Sequence, residues 1–161
     1  MNKQILLVYG SGGHNEQMKR LYNKLLVKNN NLEFISICDN DVKNKLTTKV
    51  YTITSVTDKF SYINLALKLP LKIISIVKVL NQIKNENEID YIISSGPGIA
   101  IIVSLFFKFF TKTKIIHIET WSRFYSKSLT GRFMYYIAND FFVQNQELLK
   151  LYPNAKYKGR L

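Results

Sequence analysis

Six short runs of β-favouring residues punctuate the chain, at 4–9 (QILLVY), 33–38 (EFISIC), 50–54 (VYTIT), 90–94 (DYIIS), 115–119 (IIHIE) and 140–144 (DFFVQ), and most are separated by segments of helix length. Strands that alternate with helices pair in parallel, because each crossover must return over a face of the sheet. The expected fold class is therefore α/β, a Rossmann-like parallel sheet with helices on both faces. The 161 residues suffice for about one such domain, spanning 1–161, and the 47% hydrophobic content supplies its core. There is no internal repeat and no linker rich in Pro, Gly or Ser. Clusters such as Lys28-Asn29-Asn30-Asn31 and Asn85-Glu86-Asn87-Glu88 fall where solvated loops are expected.

Two strand-to-helix junctions stand out. After the first run come Gly10-Ser11-Gly12-Gly13-His14, and then Met18, Leu21, Tyr22, Leu25 and Leu26 recur at helical spacing. A strand, a tight glycine turn and a helix start bring backbone N–H groups and a positive helix end up to an anion, most often a phosphate. Ser94-Ser95-Gly96-Pro97-Gly98 repeats this logic after the fourth run, ahead of the apolar helix 99–110. In an open α/β sheet both loops lie at the carboxyl ends of strands, where such folds bind ligands. A dinucleotide fingerprint would need a third glycine where Asn15 stands, although Asp39 is placed to meet a ribose. A P-loop is excluded, since no Gly-Lys-Ser or Gly-Lys-Thr follows. Asp39-Asn40-Asp41 has the Asp-x-Asp form of some metal-dependent glycosyltransferases. With no second acidic cluster it reads as a solvated turn, and no metal site is expected.

His14 falls in the first turn of the expected helix, where the positive helix end suits a neutral imidazole able to act as a base. His117, within Ile115-Ile116-His117-Ile118, reads as a satisfied core histidine. Glu119 ends its strand at the ligand edge and is one of three acids after position 98; an ion-pair role and a substrate-orienting role are both open.

Twenty-three Lys and Arg against eleven Asp and Glu give a charge of +12, which favours an anionic partner. Lone Cys38 excludes an intrachain disulfide, and the expected compartment is the cytosol. Ile99–Phe110 is too short to span a bilayer. Ile63–Leu80 carries Asn64, Lys68, Lys72, Ser75 and Lys78 as a narrow polar stripe, with Pro70 marking a first turn or kink. That pattern fits a helix lying on a membrane through Lys68, Lys72 and Lys78, or a core helix whose lysines reach water. From Trp121 to Tyr136, aromatics including Trp121, Phe124 and Tyr125 alternate with Arg123, Lys127 and Arg132. No RNA-binding signature accompanies them, which favours contact with lipid headgroups over stacking on bases.

Gly10-Ser11-Gly12-Gly13-His14 with Met18, Ser95-Gly96-Pro97-Gly98, Ile118-Glu119-Thr120 with Arg123, Ser128-Leu129-Thr130-Gly131-Arg132, and Val143-Gln144 followed by Tyr152-Pro153 and Gly159 form an ordered set. On these residues the chain resembles, over nearly its whole length, the acceptor-binding subunit of two-subunit glycosyltransferases. These are the membrane-associated partner of the N-acetylglucosaminyltransferase of dolichol-linked oligosaccharide synthesis and its bacterial capsule and exopolysaccharide relatives. The chain departs from the family at Thr120, often Ser, and at Asn145, often Trp. Eukaryotic members carry an N-terminal membrane anchor, and the form expected here is the bacterial one.

The resemblance implies the N-terminal, acceptor half of a GT-B enzyme, with a separate small chain supplying the donor half. It implies an inverting transfer to a polyprenyl-diphosphate-linked sugar from a UDP-sugar bound mainly by the partner subunit. No cofactor and no nucleic acid are expected, and the chain is expected at the inner face of the cell membrane. In that reading Gly10, Ser11, Gly12, Gly13, Ser95, Gly96, Pro97, Gly98 and Arg123 hold the acceptor diphosphate. His14 is the first candidate base and Glu119 the second, and the chain is expected to be inactive alone. A stand-alone NAD(P)-binding oxidoreductase or binding module, and a single-strand nucleic-acid binder, stay open as alternatives.

Overall fold

The computed structural model describes residues 3–28, 31–39, 42, 45–53 and 62–161, with the side chains of 62–71 outside the description. Asn40, Asp41, Thr54 and the side chains of Asn64, Lys68 and Pro70 therefore lie outside the described residues. The elements are β1 (Lys3–Tyr9), α1 (Gly13–Lys28), β2 (Leu32–Asp39), β3 (Lys49–Ile53), α2 (Tyr62–Glu86), β4 (Ile89–Ser94), α3 (Ile99–Phe110), β5 (Lys114–Ile118), α4 (Leu129–Ile137), β6 (Asp140–Val143), a 3-10 turn (Gln146–Lys150) and β7 (Lys156–Tyr157). The strands form one parallel sheet in the order β3-β2-β1-β4-β5-β6-β7.

Side-chain alternation divides the core. From β1, Leu6 and Val8 meet Ile76, Leu80 and Ile83 of α2 and Val103 and Phe107 of α3. Ile5, Leu7 and Tyr9 meet Met18 of α1 on the opposite face. A third cluster, around Ile115, Met134, Phe141 and Tyr152, seats α4 beside the far strands. Strands buried on both faces read as unbroken apolar runs, which is why β1 and β4 were plain in the sequence.

Two elements differ from expectation. The apolar run of α2 ends at Leu80, but the helix continues to Glu86 because Ile83 still turns into the core, one further step on the Ile76, Leu80, Ile83 stripe. β7 has no counterpart among the six expected runs: its two exposed residues give no period-two signal, and only the pairing of Phe142 with Lys156 and Val143 with Tyr157 creates it.

Strand order reverses on either side of β1, whose neighbours are β2 and β4. The crossovers leave in opposite directions there, so the loops after β1 and β4 flank a crevice at the carboxyl edge of the sheet. The Ser95 N–H, donating to the Val8 carbonyl at 3.2 Å, ties the two loops together.

Candidate functional site

Each glycine of the first loop has a different task. A Cβ on Gly10 would lie 2.8 Å from both the Asp39 carboxylate and the Pro97 ring, so this glycine lets the loops close on each other. Gly12, at φ 65°, makes the turn, and the space beside it is open. Gly13 starts α1, where a Cβ would meet only Trp121 Nε1, at 3.9 Å. The positive-φ requirement thus falls on Gly12 alone in this loop.

His14 follows in the first turn, and its Nδ1 lies 2.6 Å from the Ser95 carbonyl. A carbonyl only accepts, so Nδ1 carries the proton and the neutral ring keeps its lone pair on Nε2. The Ser95 hydroxyl donates back to the His14 carbonyl at 3.2 Å. Gly96, at φ 88°, lies under the ring, where a Cβ would come within 2.8 Å of His14 Cε1. The Gly96-Pro97 peptide is cis.

Glu119 follows β5 directly and is buried. Its Oε1 accepts from the Thr120 N–H at 2.9 Å, while Oε2 accepts from the Ser128 N–H at 3.3 Å and the Tyr152 hydroxyl at 2.8 Å. Burial and the Glu119 carboxylate push the Tyr152 phenol far above its ordinary value, so it remains a donor. Ser128 caps α4 by accepting from the Gly131 N–H at 2.8 Å. Gly131 supplies the room for the carboxylate, since a Cβ there would lie 1.9 Å from Glu119 Oε2. Among the described residues Glu119 makes no ion pair, and its visible work is to hold the loop between β5 and α4.

That loop is anchored by side-chain amides the sequence reading did not single out for the site. Gln144 donates to the Glu119 carbonyl at 2.9 Å, buried Gln17 accepts from the Trp121 N–H at 3.4 Å, and Asn145 donates to the Trp121 and Arg123 carbonyls. The signal for Gln17 was its place one turn after His14 beside core Met18.

These pieces enclose an open cleft of about 240 Å³ lined by His14, Ser95, Gly96, Pro97, Gly98, His117, Glu119 and Arg123, and on its α4 side by Ser128, Leu129 and Thr130. Gly10, Gly12 and Gly13 stand outside this lining. A larger concavity of about 430 Å³ lies at the opposite edge of the sheet, among Lys3, Lys84, Asn87 and Asp90, away from both loops. Arg123, with Nη1 on Ser126 Oγ at 3.2 Å, brings positive charge to the cleft. Asp39 is buried and faces Gly10 and Pro97 in the seam between the loops.

The residues expected at a membrane separate. Trp121 is half-buried beside Gly13 under the Arg20 guanidinium, Phe124 carries Arg160 over its ring, and Tyr125 is 81% exposed. Lys78 is exposed and Lys72 partly so, with Ile73 and Ile74 exposed nearby. On α4, Leu129, Phe133 and Tyr136 form an exposed stripe that begins at the cleft. No helix among the described residues is long and apolar enough to cross a membrane.

His117 is buried as expected, its Nδ1 2.7 Å from the Ser94 hydroxyl and its ring against Phe141. Burial, with His14 nearby, pushes its pKa down to about 3. The unfolded chain takes up this proton near pH 6.5 and the folded chain only near 3, so stability falls as pH drops through that window. The expected loss from this group is about 3 kcal/mol by pH 4. Urea unfolding at pH 7 and pH 4 checks it: His117→Gln should lose less stability on acidification than the parent, and equal losses would contradict the assignment.

Residues 5–161 match the family described as "Oligosaccharide biosynthesis protein Alg14 like". The chain belongs to the Alg14 family. It is 28% identical over 190 residues to the Kluyveromyces lactis UDP-N-acetylglucosamine transferase subunit ALG14, covering 100% of this chain and 80% of that one. The subunit of the same name from Debaryomyces hansenii is 30% identical over 176 residues, covering 98% and 75%. Among solved structures, Acinetobacter baumannii MurG superposes with a TM-score of 0.65 at 12% identity, covering 100% of this chain and 44% of MurG. S. aureus MnaA with UDP gives 0.62 at 19% identity, covering 92% and 39%. This Alg14-family chain thus spans less than half of either structure and has the fold of the N-terminal half of a GT-B enzyme.

Proposed function

We propose that this chain is the acceptor-binding subunit of a two-subunit inverting glycosyltransferase of bacterial surface-polysaccharide synthesis. In this reading the acceptor is a polyprenyl-diphosphate-linked sugar, and the UDP-sugar donor is bound mainly by a separate partner subunit. Membership of a family whose named relatives are UDP-N-acetylglucosamine transferase subunits supports the reaction class. The observation that carries the reading is the cleft at the strand-order reversal, where His14 has its Nδ1–H committed to the Ser95 carbonyl.

The acceptor diphosphate lies across the open side of Gly12, the first N–H groups of α1 and Arg123, where backbone donors and a cation meet an anion. His14 Nε2 takes the proton from the acceptor hydroxyl as its oxygen bonds to the anomeric carbon of the donor. The bond from that carbon to the UDP oxygen breaks on the opposite face, and UDP leaves with the electron pair. Glu119 keeps the β5–α4 loop in place during this step. The exposed Leu129, Phe133 and Tyr136 stripe leads from the cleft towards a bilayer and gives the prenyl tail an apolar path.

Co-expression with candidate donor subunits, followed by transfer assays against a panel of UDP-sugars with membrane acceptor, tests the proposal. Product is expected from the pair and not from either chain alone. Turnover by this chain alone would contradict it.

Peripheral association with anionic lipid is part of the same reading. A Lys near an anionic leaflet is worth about 1 kcal/mol, so reversing three of them should reduce binding at least ~10-fold. Co-sedimentation with phosphatidylglycerol vesicles is expected to fall by that factor in Lys68→Glu/Lys72→Glu/Lys78→Glu. Unchanged sedimentation would make the α2 lysines an ordinary solvated edge.

A further inference from the structure

His117 is buried and lines the cleft, and among the described residues only one of its ring nitrogens has a hydrogen-bond partner. Nδ1 meets the Ser94 hydroxyl at 2.7 Å, whereas Nε2 has no hydrogen-bond partner among the described residues. Ser94 is itself fully buried and its hydroxyl makes no other hydrogen bond among the described residues. If Nδ1 donated to Ser94, the serine proton and the Nε2 lone pair would both lack partners. If Ser94 donates to Nδ1, the serine proton is paired and a single Nε2–H, on the cleft side, is left without a partner. Burying an unpaired donor or acceptor is costly, so the second arrangement is favoured.

We propose that His117 is an acceptor-contacting residue that presents a fixed Nε2–H to an oxygen of the acceptor, with Ser94 holding it in that tautomer. The proposal rests on the reading of this cleft as the acceptor site. Since His117 titrates only near 3, the ring is neutral when the enzyme works, so it orients an oxygen without adding charge or competing with His14 for a proton. The two histidines thus have opposite polarity towards the cleft: Nε2 of His14 accepts and Nε2 of His117 donates. Such a pair can bind one sugar hydroxyl or neighbouring oxygens in a single orientation.

Side-chain geometry supplies a test that a packing role would not pass. The amide nitrogen of glutamine reaches the place of a histidine Nε2, whereas asparagine reaches only the place of Nδ1. His117→Asn keeps a partner for Ser94 but loses the donor in the cleft, while His117→Gln restores that donor. In the assembled pair, with phytanyl-diphosphate-linked N-acetylglucosamine as the probe acceptor, His117→Asn and His117→Leu are expected to raise the acceptor KM about tenfold. The KM of His117→Gln should stay within about threefold of the parent, as the donor hydrogen bond is kept. Nitrogen-15 NMR of the full chain should show the Nε2–H tautomer, and a shift of that resonance when the probe is added.

Equal KM values for the Asn, Leu and Gln variants, or an Nδ1–H tautomer, would overturn the proposal while leaving the acceptor reading intact. If the probe is neither turned over by the parent pair nor perturbs His14 and the Gly12 amide, the acceptor reading fails and this proposal fails with it.

Discussion

Adding a single methyl group at Gly131 is expected to destabilise the protein by about 3 kcal/mol or more, the usual cost of disrupting a buried polar network. On an exposed helix the same change would gain about 1 kcal/mol from helix propensity, so the sign reports which effect wins. Here the new Cβ would lie 1.9 Å from Glu119 Oε2 and 2.7 Å from the Tyr152 hydroxyl, and both groups are buried. Either the carboxylate leaves its donors or α4 moves off the sheet, and either way a buried charge loses hydrogen bonds. The urea midpoint of Gly131→Ala measures the loss. The cause is isolated by repeating the change in a Glu119→Ala background, where the closer clash is gone, the Tyr152 hydroxyl is freed from its acceptor to move aside, and much of the cost should vanish. A stabilised Gly131→Ala protein would show that Glu119 does not occupy the place described.

The second large effect concerns the reaction. His14→Ala in the assembled pair is expected to lower kcat by about 10²-fold or more, the range for loss of a general base. Acceptor KM should change far less, and co-purification with the partner should be unaffected. Glu119→Gln should act differently. Its amide keeps one oxygen for Ser128 and Tyr152 but turns an NH2 against the Thr120 N–H, donor against donor, so stability and loop order should suffer along with turnover. If His14→Ala kept near-parental kcat while a folded Glu119→Gln pair lost all turnover, the base would be Glu119.

Much of this arrangement is written locally in the chain. β1, β2 and β4 announce themselves as apolar runs because helices cover both their faces. The two glycine-bearing junctions are legible because tight turns restrict residue choice, and strand-order reversal brings them together. His14 is legible as the residue that opens the helix after such a turn.

What escaped the reading depends on contacts distant in sequence. Gln17 is a plain polar residue until Trp121, 104 positions later, meets its carboxamide. Gly131 carries no turn signal; its need arises from Glu119 on another element. His117 has the sequence setting of a core residue, and it is one, yet the chain folds so that one ring edge faces the cleft. Trp121 reads as a membrane aromatic by composition, and its packing beside Gly13 under the Arg20 guanidinium has no local sequence signal.

The central claim is that this chain binds the acceptor and its partner binds the donor. It is tested most directly by initial rates of the assembled pair carrying Gly12→Val, with both substrates varied. Gly12 sits at φ 65° with open space beside it, so valine strains the turn and intrudes where the diphosphate would lie. The account predicts an acceptor KM raised about tenfold or more and a UDP-sugar KM within about twofold of the parent, the signature of lost binding to one substrate. A raised UDP-sugar KM with an unchanged acceptor KM would contradict it.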